Sequence, residues 1–83
     1  MSQIARTNKQ VGAVIQRYRK KRGITQGILG EKTKLRQATI SALEAGRTGV
    51  QLGNLLDVLT ALDLELVIQP RSKGFVSEIE SSL

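Results

Sequence analysis

Between residues 25 and 46 the chain writes two very short helices with almost nothing between them. Thr25 is a capping residue, and a helix follows over about residues 26–33. Leu35 and its neighbours form a turn, a second helix spans about residues 37–45, and Gly46 ends it. Helices of two turns do not hold themselves together in water. Joined this closely, they must pack on each other and on further elements.

Those elements flank the pair. Thr7 or Asn8 can cap a first helix running to about Arg22, with Gly23 in the stop position. Val11, Val14, Ile15 and Tyr18 fall at i, i+3, i+4 and i+7, one stripe of that helix. Arg17, Lys20 and Lys21 lie mostly off the stripe, and positive charge in a last turn suits the helix dipole. A fourth helix over about residues 52–62 carries Leu52, Leu55, Leu56, Leu59 and Leu62 on one side, the largest apolar resource in the chain and its expected core.

After Asp63 the pattern changes. Leu64, Leu66 and Ile68 alternate at period 2 before Pro70 ends the run, which reads as a strand, with a fifth helix as the rival. No other segment looks like a strand, so this one needs an outside partner for its backbone. The same strand of a second copy, antiparallel about a two-fold axis, supplies it. Leu64, Leu66, Val67 and Ile68 are therefore the expected dimerisation residues. The expected organisation is a flexible N-terminus over residues 1–7, a helical and dimerisation domain over 8–70, and a flexible tail over 71–83.

Size sharpens the case for a dimer. At 83 residues without cysteine or histidine, disulfides are excluded and no zinc or other metal site is expected. Association is the remaining support for so small a core. No apolar run nears the roughly 20 residues of a membrane span, and the first residues lack the apolar core of a secretory signal. A cytoplasmic protein is the expectation. An enzyme is not expected, nor a cofactor or small-molecule substrate. Histidine and cysteine are missing, as are a phosphate-gripping glycine loop and paired carboxylates.

Charge points to the partner. Residues 1–50 hold eleven Lys and Arg against only Glu31 and Glu44, while residues 51–83 hold Arg71 and Lys73 against Asp57, Asp63, Glu65, Glu78 and Glu80. A basic half suits a polyanion. The sole aromatics are Tyr18 and Phe75, too few for a single-strand binder that stacks bases. Duplex DNA fits better.

The third helix has the right surface for it. Ile40 and Leu43 share one side, free to pack against Leu29 and the first helix. Ala38, Ser41, Ala42 and Ala45 share the other, small enough to let the helix sit deep in a major groove about 12 Å wide. Gln37 at its start can pair with adenine, and Ala38 and the Thr39 methyl can touch a thymine methyl. Arg36, just ahead, reaches guanine or phosphate. A small face also suits close packing on another helix, which keeps a protein-interaction module open as an alternative.

The spacing Thr25-Gln26, Leu29-Gly30, residues 37–41, then Leu43-Glu44-x-Gly46 resembles the Cro/cI-type helix-turn-helix family of phage and bacterial repressors, over about residues 10–62. The resemblance implies a mainly α, compact four-helix, lambda-repressor-like domain. It implies that Gln26 contacts a phosphate through the start of the second helix, where free N–H groups attract anions. Arg47 and Thr48 match further phosphate contacts. Arg19 and Glu44 match a semi-buried ion pair that ties the first helix to the third.

Four positions depart from the family. Lys34 stands where a turn glycine is usual, Gly30 where alanine is, Thr33 where an aliphatic is, and Ile28 where a polar residue is. Four helices followed by a strand is an unusual ending, and residues 49–70, which carry the fourth helix and that strand, look like HipB-like antitoxins of Hip-type toxin–antitoxin pairs. That further resemblance implies a dimer that binds palindromic operator DNA, represses its own operon and holds a kinase-like toxin inactive. A stand-alone repressor without a toxin is the alternative, decided by the neighbouring gene. The weakly apolar tail, with Phe75, Val76, Ile79 and Leu83, either folds on the toxin or is a loose terminus.

Overall fold

The computed structural model describes residues 3–71. Its helices are α1 (Asn8–Lys21), α2 (Gln26–Thr33), α3 (Gln37–Glu44) and α4 (Leu52–Ala61). The tail residues Phe75, Val76, Ile79 and Leu83 lie outside the described residues. The first two helices begin on threonine caps. Thr7 Oγ1 accepts from the Gln10 amide and Thr25 Oγ1 from the Ile28 amide, both at 3.1 Å. Arg36 and Gln51 open α3 and α4 without a side-chain cap.

All four helices end alike. Gly23, Lys34, Gly46 and Asp63 each take a left-handed backbone conformation, with φ between 60° and 77°. The amide of the following residue then bonds back to a carbonyl five positions earlier. Ile24 reaches Arg19, Leu35 reaches Gly30, Arg47 reaches Ala42 and Leu64 reaches Leu59, at 3.4, 3.0, 3.0 and 2.7 Å. This closure satisfies carbonyls that a helix end otherwise leaves bare. At three of the four ends the closing residue is apolar (Ile24, Leu35, Leu64) and folds the chain back onto the core. At the fourth it is Arg47, exposed.

The core is one cluster of Ile15, Leu29, Ile40, Leu43, Val58, Leu59 and Leu62. Helix α3 packs against α1 and α2, and α2 packs also against α4. Each such aliphatic side chain, once buried, contributes roughly 1.5–3 kcal/mol. Among the described residues no buried side-chain nitrogen or oxygen lacks a hydrogen-bond partner. No described helix is long and apolar enough to cross a membrane.

Two expectations change. The leucines of α4 are not all core. Leu59 and Leu62 are buried and Leu55 half-buried, but Leu52 and Leu56 are exposed, and Val58 takes the buried place instead. The apolar arc of α4 is wider than the surface the other helices offer it. The stretch 64–69 carries no regular secondary structure, neither strand nor helix. A strand exists only through its ladder, and the described residues of one chain supply no second strand. Leu64 still packs on the core, while Leu66, Val67 and Ile68 are 52, 65 and 92% exposed. Residues 3–6 and 64–71 line a common groove floored by Val11, Tyr18, Leu55 and Leu59.

Candidate nucleic-acid interface

Helix α3 turns Ile40, Leu43 and Glu44 inward. Gln37, Ala38, Ser41 and Ala45 are exposed, and Thr39 and Ala42 are half-buried at the margin. The outward face therefore consists of small residues with Gln37 at its leading end. Arg36, Arg47 and Thr48, at the two ends of the helix, are exposed as well.

The turn before α3 keeps its tight form despite its unusual residues. Lys34 adopts φ 62° and ψ 29°, the left-handed region that favours glycine. A side-chain carbon at Gly30 would lie 2.7 Å from the Leu35 carbonyl oxygen. In this chain the missing Cβ at residue 30 is thus what lets the turn close. Thr33 occupies its aliphatic position by donating its hydroxyl to the Leu29 carbonyl at 2.8 Å. Ile28 is exposed on α2.

The C-terminal half of α3 is clamped. Arg19 and Glu44 are both 8% exposed. They form two hydrogen bonds, Nε to Oε2 at 2.5 Å and Nη2 to Oε1 at 3.0 Å. Arg19 Nη1 also donates to the Ile24 carbonyl at 2.9 Å. The hydrogen bonds Arg19 donates to the Glu44 carboxylate raise its pKa above the ordinary value, opposing the effect of burial. The guanidinium is charged at any pH where the protein folds.

Three features here escape a reading of the sequence. Gln26, half-buried, donates its side-chain amide to Glu44 Oε1 at 3.0 Å. A Cβ at Gly12 would stand 2.5 Å from the carbonyl oxygens of both Leu43 and Glu44. A Cβ at Gly46 would stand 2.6 Å from the Lys9 Cα, so the exposed Lys9 lies beside the loop that carries Arg47. A glycine inside the amphipathic pattern of α1 was the available signal for the close α1–α3 approach.

The dimerisation candidates Leu64, Leu66, Val67 and Ile68 lie apart from this surface, along the groove on the α1–α4 side. Among the described residues no group of three or more Asp, Glu, His or Cys is placed to hold a metal ion.

The family model described as helix-turn-helix matches residues 15–68. The chain belongs to the Cro/cI-type helix-turn-helix family. Membership places this helix-turn-helix protein among DNA-binding regulators and not among enzymes. Solved structures of HipB are similar to it. A HipB variant in an O2 20mer complex aligns over 88% of this chain and 100% of its own, at 26% identity and a TM-score of 0.79. HipB in a HipA-HipB-O2-O3 complex and HipB in an O4 20mer complex each align over 87% of this chain and 100% of their own, at 26% identity and a TM-score of 0.78. No curated protein matches the sequence significantly.

Proposed function

We propose that the protein is a sequence-specific repressor that binds an inverted-repeat operator as a homodimer and, as a Hip-type antitoxin, holds a kinase-like toxin inactive in the bacterial cytoplasm. The observation that carries the DNA reading is the outward face of α3, built of small residues and led by Gln37. Gln37, Ala38, Thr39, Ser41 and Ala42 read bases in the major groove, with Arg36 at guanine or phosphate. Gln26, Arg47 and Thr48 hold backbone phosphates, and the exposed Lys9 beside Gly46 adds a cation to that set. The working unit is residues 8–70.

Dimerisation rests on residues 64–68. Their exposed Leu66, Val67 and Ile68 gain both a backbone partner and apolar cover when the same segment of a second copy pairs with them. The toxin partner rests on the likeness to HipB, which occurs in a complex with HipA.

A two-fold dimer presents two α3 helices, so the half-sites lie about 34 Å apart or a multiple of it. Four phosphates per subunit give a log–log salt slope near −7 for the dimer (about 0.9 per phosphate). The test is a titration of selected and scrambled duplex at several salt concentrations. A slope near zero, or equal affinity for both duplexes, overturns the repressor reading. Co-expression with the product of the adjacent gene tests the antitoxin role. A stable complex with a kinase-like protein supports it, and its absence leaves a stand-alone repressor.

A further inference from the structure

The ion pair at the base of α3 reaches one residue further than architecture requires. Arg19 engages both oxygens of Glu44, which already satisfies the buried charge. Yet Oε1 accepts a second hydrogen bond, from the Gln26 side chain at 3.0 Å. Gln26 is the first residue of α2 and only half-buried, while its Nε2 reaches the buried Glu44.

A carboxamide has two N–H groups in one plane, about 120° apart. With one committed to the buried Glu44, the other points away from that carboxylate. It lies at the start of α2, where Thr25 Oγ1 already takes the Ile28 amide and the helix dipole favours an anion. An exposed glutamine has three free side-chain torsions and loses their entropy on binding. Here most of that freedom is already lost in the free protein.

We propose that Glu44 is a positioning residue for DNA: clamped by Arg19, it fixes the Gln26 carboxamide so that its second N–H is preset for a backbone phosphate. The same carboxylate thereby links α1, α2 and α3 and transmits their packing to the DNA contact. This rests on the proposed phosphate role of Gln26, and it adds that the role depends on Glu44.

The test is a double-mutant cycle on the full chain with Gln26→Ala, Glu44→Asp and both. Glu44→Asp keeps the charge opposite Arg19 but withdraws the oxygens by one methylene, out of reach of Gln26. Thermal melts establish that each variant folds. Each single change should weaken operator-duplex affinity about tenfold per half-site, the size of one hydrogen bond, or about a hundredfold for the dimer, and the double variant should be no weaker than either. Losses that multiply in the double variant, to about a hundredfold per half-site, overturn the proposal while leaving DNA binding intact. Failure of the unaltered protein to bind any duplex overturns the DNA reading, and this proposal with it.

The side-chain NH2 resonances of Gln26 give a second readout, one that holds even if Glu44→Asp unfolds. In the free protein one proton should exchange slowly with water and the other fast, and added duplex should protect the second. Two equally exposed protons in the free protein overturn the proposal.

Discussion

The two ends of α3 are held in opposite ways. At the C-terminal end Glu44 is gripped by Arg19 and Gln26, and the backbone of residues 43–46 is pressed against Gly12 and Lys9. At the N-terminal end Arg36 supplies no side-chain cap, and Arg36, Gln37 and Ala38 are exposed. A helix fixed at one end and open at the other has a defined direction and depth, while the side chains at its open end stay adaptable. If α3 is the reading helix, as proposed, the held end sets where it enters a groove and the open end sets what it reads there.

The largest effects should come from disturbing the held end. Gly12→Ala places a methyl 2.5 Å from two backbone carbonyl oxygens, which cannot swing aside as a flexible side chain would. The helices must separate, and the cost should match several kcal/mol, a large share of the roughly 5–15 kcal/mol that holds a domain together. Loss of the cooperative melt near ambient temperature is the expected outcome; a Gly12→Ala protein that melts like the parent removes the close approach. Arg19→Ala comes next. It strands Glu44 without its charge partner, at about 3–5 kcal/mol, so it should loosen the whole domain and not merely weaken duplex binding. An unchanged melt would refute that role.

At the open end the expected effect moves from stability to selectivity. Gln37→Ala should leave the melting temperature nearly unchanged, since exposed positions usually stay within about 0.5 kcal/mol. It should still relax preference at one base pair by about 1–3 kcal/mol. Arg47→Ala is the control. It should weaken selected and scrambled duplex alike and reduce the salt slope by about 1 for each phosphate left without its arginine. If both variants behave like the control, α3 does not read bases through Gln37.

Much of this asymmetry is legible in the sequence, and the unreadable part has a common cause. Helix positions follow from local chemistry: Thr7 and Thr25 are caps, and Gly23 and Gly46 stop helices in left-handed turns. The inward and outward sides of α3 follow from helical spacing. The distance at which two helices cross does not. Gly12, Lys9 and the reach of Gln26 to Glu44 all depend on that distance. The Arg19–Glu44 pair spans 25 positions, and only a family pattern names the two together. Leu52 and Leu56 show the same limit, because periodicity gives the apolar arc of α4 but not which part of it meets a neighbour.

The smallest predicted effect sits between the two ends, in the turn that hands α2 over to α3. Lys34 is held at φ 62°, and a left-handed conformation costs an ordinary side chain roughly 1–2 kcal/mol. Glycine avoids that cost but gives back about half of it through the greater freedom of its unfolded chain. Lys34→Gly should therefore stabilise the domain by about 0.5–1 kcal/mol, raising the melting temperature by roughly 2–8 °C for a domain of this size. The turn is already closed by the Leu35–Gly30 backbone bond, so the variant changes strain without changing geometry. Base preference should then stay that of the parent. A lowered melting temperature would show that the Lys34 side chain stabilises the turn by more than its backbone strain costs. A shifted base preference would show that the open end of α3 takes its register from the turn as well as from the Glu44 clamp.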